Sequence, residues 1–352
     1  MTTMDVLIVD DSPVIRQLLR HIIEEGGMRV IGEASNGVEA LRCIARRRPD
    51  VITMDIHMPV MDGLEASRRI MEEYPTPIVV VTASYSLGDA VTAMQVLEAG
   101  AITVTPKPQG PSHPDFERDV ESLLRTIRLI SEVKVVRRFR RRQGKREEVQ
   151  PPPPVNHEHE GFQPGVIAIG ASTGGPVALK ELLQGISRKT PCPVLVVQHI
   201  SPGFLTSFCE WLNQVSALPV SIGEYGERAE RGRVYLAPDG CHMEVDRSCR
   251  ISLVNGNRDE TLCPSVSRLF SSVAKNFGRN AVVVLLSGMG RDGAAEMAEL
   301  HRLGALTIAQ DPATVVVNGM PGEAVKLGAA RHVLSPPRIA ALLNELPVQS
   351  CV

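Results

Sequence analysis

The stretch Val166–Pro176, VIAIGASTGGP, runs an unbroken apolar segment into a glycine-rich turn with one serine, Ser172, at its centre. A short apolar run ended by glycines reads as a strand buried on both faces. The residues that follow, PVALKELLQGI, carry apolar positions at helical spacing behind a proline suited to the first helical turn. A buried strand passing straight into a helix is half of a βαβ unit, so this stretch predicts a parallel sheet. The same pattern recurs downstream in CPVLVVQH, NAVVVLLSG and ALTIAQD, with GAAEMAELHRLG as a further helix. Between them GRVYLAP, CHMEV and RISLVNG are short and turn-bounded, and are expected to form a hairpin or antiparallel edge. Residues 165–352 are therefore expected to form a doubly wound α/β domain, with a mostly parallel sheet and an antiparallel hairpin.

Upstream, DVLIVDD, RVIGEAS, DVITMDI, PIVVVTA and AITVTPK alternate with amphipathic helical patterns such as VIRQLLRHIIEE and LEASRRIMEEY. Five such units fit a flavodoxin-like, doubly wound parallel sheet of order 2-1-3-4-5, placed at residues 1–130. Residues 131–164 hold an arginine run, four consecutive prolines and HEHE. With little to bury, they read as an exposed basic linker. The histidines there lack a second layer of groups to orient them on a metal.

At 352 residues the chain exceeds one ordinary core. Its 43% hydrophobic and 22% charged content is that of a globular protein. A net charge of -2 and 3% aromatics argue against binding nucleic acid by bulk charge or base stacking. No apolar run reaches membrane-spanning length, so no membrane insertion is expected. The start MTTMDVLIVDDS lacks the features of an export signal, and the seven cysteines include no C-x-x-C pair. Both point to a reducing, cytoplasmic setting.

In the first domain Asp10 and Asp11 follow strand one and Asp55 follows strand three. In a 2-1-3-4-5 sheet these meet at the switch point beyond the carboxyl ends. Their mutual repulsion calls for a cation, and an all-oxygen set suits Mg²⁺. Thr82 ends strand four and Lys107 ends strand five. A carboxylate nucleophile, a metal site and a lysine are the parts of an aspartyl-phosphate site, although each alone reads more plainly as a helix cap or a surface lysine.

In the second domain GASTG fits the G-x-S-x-G pattern of a nucleophile elbow, while also suiting a phosphate-holding turn or a helix cap. His199 follows PVLVVQ, and Asp292 lies in LLSGMGRDG, so serine, histidine and aspartate all fall beyond strand carboxyl ends. The backbone N–H groups of Thr173 and Met289 are the candidate oxyanion donors. The order Ser-His-Asp differs from that of α/β-hydrolases, chymotrypsin-like enzymes and subtilisins.

LIVDDS, DVITMDIHMPVMDGLEA, VVVTAS and TPKP closely resemble the receiver domain of bacterial response regulators. The resemblance implies Asp55 as phospho-acceptor and Asp10, Asp11, Asp55 and the His57 backbone carbonyl on Mg²⁺, with Thr82 and Lys107 as the switch pair. IGASTGGP, VVQHI, GRVYLAPDGCHMEV, PSVSRLF, LLSGMGRDGA, TIAQDPAT and GMPGEA resemble the catalytic domain of chemoreceptor protein-glutamate methylesterases. That implies Ser172 as nucleophile, His199 as base and acid, and Asp292 as the residue that holds the imidazole. It also implies a methyl-accepting chemoreceptor as substrate, with glutamine deamidation alongside. A sensor histidine kinase would be the phosphodonor, and a monomer gated by its receiver is expected. Ser267 and Asn318 depart from the family pattern without touching these three residues. The competing expectation is a response regulator whose second domain only binds nucleotide or DNA, though no phosphate-binding or helix-turn-helix motif supports it.

Overall fold

The computed structural model describes residues 3–82, 87–133, 135, 162–257 and 262–347. The chain divides into two compact units, Met1–Gly144 and Lys145–Val352. The basic, proline-rich segment between them lies almost wholly outside the described residues.

In the first unit β1 (Asp5–Val9), α1 (Pro13–Glu25), β2 (Arg29–Ala34), α2 (Gly37–Arg46) and β3 (Val51–Met54) alternate strictly. They are followed by α3 (Gly63–Glu73), β4 (Ile78–Thr82), α4 (Leu87–Ala99), β5 (Thr103–Pro106) and α5 (Phe116–Ser131). The sheet order is β2-β1-β3-β4-β5, and every pairing is parallel. The strands β3 and β4 are buried at every position, which explains their unbroken apolar reading. Helix starts are fixed by side chains: Asn36 caps α2 through the Glu39 N–H, and Asp62 caps α3 through the Glu65 N–H.

The second unit begins with β6 (Val166–Ala171), α6 (Gly175–Gly185), β7 (Val194–Gln198) and α7 (Leu205–Val215). Then come β8 (Val220–Ile222), β9 (Val234–Leu236), β10 (Cys241–Val245), β11 (Ile251–Asn255) and α8 (Val266–Phe277). The unit ends with β12 (Ala281–Leu285), α9 (Ala294–Arg302), β13 (Leu306–Gln310), α10 (Met320–Lys326), β14 (His332–Leu334) and α11 (Pro336–Asn344). Its main sheet has seven strands in the order β14-β13-β12-β6-β7-β9-β8, all paired in parallel.

The antiparallel element is the separate pair β10–β11. GRVYLAP does not join it. Its strand β9 lies between β7 and β8 in the main sheet, so the expectation of a hairpin or edge there is corrected. Val234, Tyr235 and Leu236 are all buried, as a central parallel strand requires.

Alternation along β6 sends Val166 and Ala168 into a core with Leu269, Phe270 and Val273 of α8, Met297 and Leu300 of α9 and Met320 of α10. The buried positions of α8 recur at three- and four-residue spacing, which holds that helix against the sheet. No helix among the described residues is long and apolar enough to cross a membrane.

Candidate active site and phospho-acceptor pocket

At the carboxyl end of the first sheet Asp10, Asp11 and Asp55 bring their carboxylate oxygens within 4.8 Å of one another. Asp10 and Asp55 are buried and Asp11 is exposed. The strands set this convergence, because β1 and β3 are neighbours and the Asp55 N–H donates to the Val9 carbonyl at 2.8 Å. Lys107 Nζ lies 2.6 Å from Asp10 Oδ2 and donates to Asp55 Oδ2 at 2.9 Å. The Lys107 backbone N–H bonds to the carbonyl of Thr82, which is itself buried. Burial pushes the Asp55 carboxyl above its usual range, with Lys107 opposing and Asp10 adding to the rise. For Lys107, burial works against the ammonium, but Asp10 and Asp55 outweigh it and hold it above its ordinary value. Three carboxylates against one ammonium leave an oxygen-only, net negative pocket, which is the donor chemistry of a hard divalent cation. His57 is exposed in the loop after Asp55.

The second site lies where the chain leaves β6 in one direction for β7 and returns on the other side as β12, a topological switch point. Ala171 pairs with Gln198, so Ser172 and His199 leave adjacent strands at the same level. The His199 N–H donates to the Ala171 carbonyl at 2.9 Å, and the Ser172 N–H to Ser287 beyond β12 at 3.0 Å. The turn is made by Gly174, left-handed at φ 76°, rather than by the serine. Gly288 packs so closely that a Cβ there would sit 2.9 Å from Ser172 Cβ.

His199 Nε2 lies 3.1 Å from Asp292 Oδ2. This is an ion-pair contact, since the ring N–H is not aligned on the oxygen as a hydrogen bond would be. Asp292 is held from behind by the start of α8. Its Oδ2 accepts the Val266 N–H at 2.7 Å, and its Oδ1 accepts the Ser267 N–H at 2.9 Å and the Ser265 hydroxyl at 3.0 Å. Burial pushes this carboxyl up, but the His199 ring and the Ser267 N–H more than reverse that and hold it well below the usual range. With Nε2 committed to the carboxylate, Nδ1 is the nitrogen left for a substrate proton, the reverse of the usual arrangement in serine proteases.

Ser172 is buried to 9%, and its hydroxyl makes no hydrogen bond to any described residue, including His199. The backbone N–H groups of Thr173 and Met289 likewise donate to nothing among the described residues. A serine hydroxyl, a paired imidazole and two uncommitted N–H groups therefore share one sheet lip, which is the equipment for acyl transfer.

The sequence readings did not single out Ser265, His242 or Gln198. His242 is buried and its Nδ1 accepts the Ser265 N–H at 3.2 Å, bracing the strip that grips Asp292. Ser267, flagged as a departure, donates its hydroxyl to Glu296 at 2.7 Å and accepts the Gly293 N–H. No motif spacing could have signalled these, because their partners lie 23 to 29 residues away.

The CheB methylesterase family model matches residues 167–343, and the response regulator receiver domain model matches residues 6–113. The chain is 47% identical over 349 residues to protein-glutamate methylesterase/protein-glutamine glutaminase 4 of Geobacter metallireducens, covering 98% of this chain and 99% of that protein. It is 45% identical over 348 residues to protein-glutamate methylesterase/protein-glutamine glutaminase 1 of Syntrophus aciditrophicus, covering 97% of each. The crystal structure of the Thermotoga maritima CheB methylesterase catalytic domain matches with TM-score 0.50 and 32% identity, covering 53% of this chain and 100% of that one. A family of this kind does not favour an output domain that only binds nucleotide or DNA. With a receiver fold followed by a serine, histidine and aspartate on one sheet lip, and with these full-length relatives, the chain belongs to the protein-glutamate methylesterase/protein-glutamine glutaminase family.

Proposed function

We propose that this chain is a phosphorylation-activated hydrolase that demethylates glutamate methyl esters, and deamidates glutamines, on the cytoplasmic regions of methyl-accepting chemoreceptors. The observation that carries this is the His199–Asp292 contact at 3.1 Å beside a serine whose hydroxyl is uncommitted. In this mechanism His199 Nδ1 takes the Ser172 Oγ proton as Oγ attacks the ester carbonyl carbon. The carbonyl oxygen becomes an oxyanion facing the Thr173 and Met289 N–H groups. Collapse breaks the bond to methoxide, which leaves as methanol with the proton from Nδ1. Water, deprotonated by Nδ1, then attacks the acyl-serine and releases glutamate and Ser172. With a glutamine side chain ammonia leaves instead, through the same acyl-serine.

Asp55 is the proposed phospho-acceptor, with a sensor histidine kinase as donor and Thr82 and Lys107 responding to the new charge. Asp10, Asp11, Asp55 and the His57 carbonyl would hold Mg²⁺, which when bound neutralises phosphoryl oxygens. The test is methanol release from methylated receptor, with and without a small acyl phosphate and Mg²⁺. Release that rises with the acyl phosphate and vanishes in Ser172→Ala supports the proposal; release that persists in Ser172→Ala overturns it.

A further inference from the structure

Gln198 is the last residue of β7 and is 4% exposed. Its single side-chain Nε2 donates to two backbone carbonyls, that of Ser172 at 2.9 Å and that of His199 at 2.8 Å. It thereby ties the turn carrying the serine to the strand end carrying the histidine. The Ser172 carbonyl also accepts the Gly175 N–H at 2.8 Å, so both its lone pairs are engaged. That carbonyl belongs to the same planar peptide as the Thr173 N–H. Fixing the oxygen at two points therefore fixes the direction of an N–H that donates to nothing among the described residues.

The amide orientation is dictated by its neighbours, since a flip would set Oε1 against two carbonyl oxygens. The cost is visible: Oε1 is buried without a hydrogen-bond partner. It sits against Gly175, where a Cβ would overlap it, at the start of α6. There the positive end of the helix offsets part of the lost solvation. A buried acceptor left unpaired is expensive and calls for a reason.

We infer that Gln198 is a positioning residue that aims the Thr173 N–H at the developing oxyanion and keeps the serine turn in register with His199. It acts through the backbone and touches no substrate. The inference rests on Ser172 being the nucleophile. It predicts a loss in the chemical step rather than in substrate binding, because the Thr173 N–H is needed most when charge develops.

The experiment uses the full chain with a small acyl phosphate and Mg²⁺, comparing wild type with Gln198→Met, which keeps length without the amide, and with Gln198→Glu. Methanol release should lose about 10- to 100-fold in kcat, with KM within about twofold. The rate of labelling by a fluorophosphonate should fall in step with kcat, and Gln198→Glu should be the worse variant. Folded variants with wild-type kcat, or with a loss confined to KM, overturn the inference. A measurement on the wild type is independent of how the variants fold. The Gln198 side-chain amide protons in an NMR spectrum should exchange with solvent far more slowly than those of a free amide, and free-amide exchange overturns the inference. Absence of labelling in wild type would instead overturn Ser172 as nucleophile, which separates the two failures.

Discussion

Ser172 Oγ makes no hydrogen bond to any described residue, so its chemistry and its contribution to stability should separate. Ser172→Ala is expected to cut methanol release at least about a thousandfold while changing unfolding free energy by no more than about 0.5 kcal/mol. A large stability loss in urea unfolding would show a structural role that the geometry does not contain. Asp292 behaves in the opposite way, because it faces His199 and three donors from the start of α8. Its folded carboxyl lies below the unfolded value of 3.8, so as pH falls the unfolded chain takes the proton first. The stability it contributes is full above that unfolded value and is lost as pH drops through the folded one. The gap in unfolding free energy between wild type and Asp292→Asn should therefore shrink from pH 7 to pH 3, and a constant gap would contradict the assignment. In the sequence Asp292 could be read either as a helix cap or as the partner of an imidazole. It is both at once, capping α8 rather than the helix that follows it.

Among the elements, β6, its turn and α6 set the serine, and the turn depends on Gly174. At φ 76° a side chain there is strained, and its Cβ would stand 2.5 Å from that of Val316. Gly174→Ala should destabilise the second unit by about 1–3 kcal/mol and lower labelling of Ser172, as read by urea unfolding and a fluorophosphonate. Unchanged stability would mean that the turn relaxes at no cost. The strand-turn-helix order here was legible because glycine spacing and apolar periodicity report backbone shape directly. The placement of β9 was not. A three-residue buried strand, VYL, has no period of its own, and only pairing with β7 and β8 shows which sheet it joins.

For the whole molecule the prediction concerns coupling between its two units. Residues 165–352 alone should release methanol faster than the unphosphorylated full chain, and an acyl phosphate with Mg²⁺ should narrow that difference. Asp55→Asn in the full chain should stay slow under the same treatment. Equal rates for the fragment and the unphosphorylated chain would remove the receiver from control of the esterase. The buried Asp10–Asp55–Lys107 group gives such control a local basis, because adding charge at Asp55 must disturb contacts of 2.6 and 2.9 Å.

Local order determined much of this protein before any contact was known. Apolar runs ended by glycines, and helices at 3.6-residue spacing, specify two parallel α/β sheets, and strand ends specify where Asp10, Asp55, Ser172 and His199 emerge. Those features are legible because backbone geometry and burial act within a few residues. Tertiary structure alone decided which nitrogen of His199 meets Asp292, which helix start grips that carboxylate, and that Gln198 holds two carbonyls together. Such contacts join residues from 26 to 93 positions apart or depend on the rotation of one side chain, and hydrogen-bond direction leaves no period in a sequence.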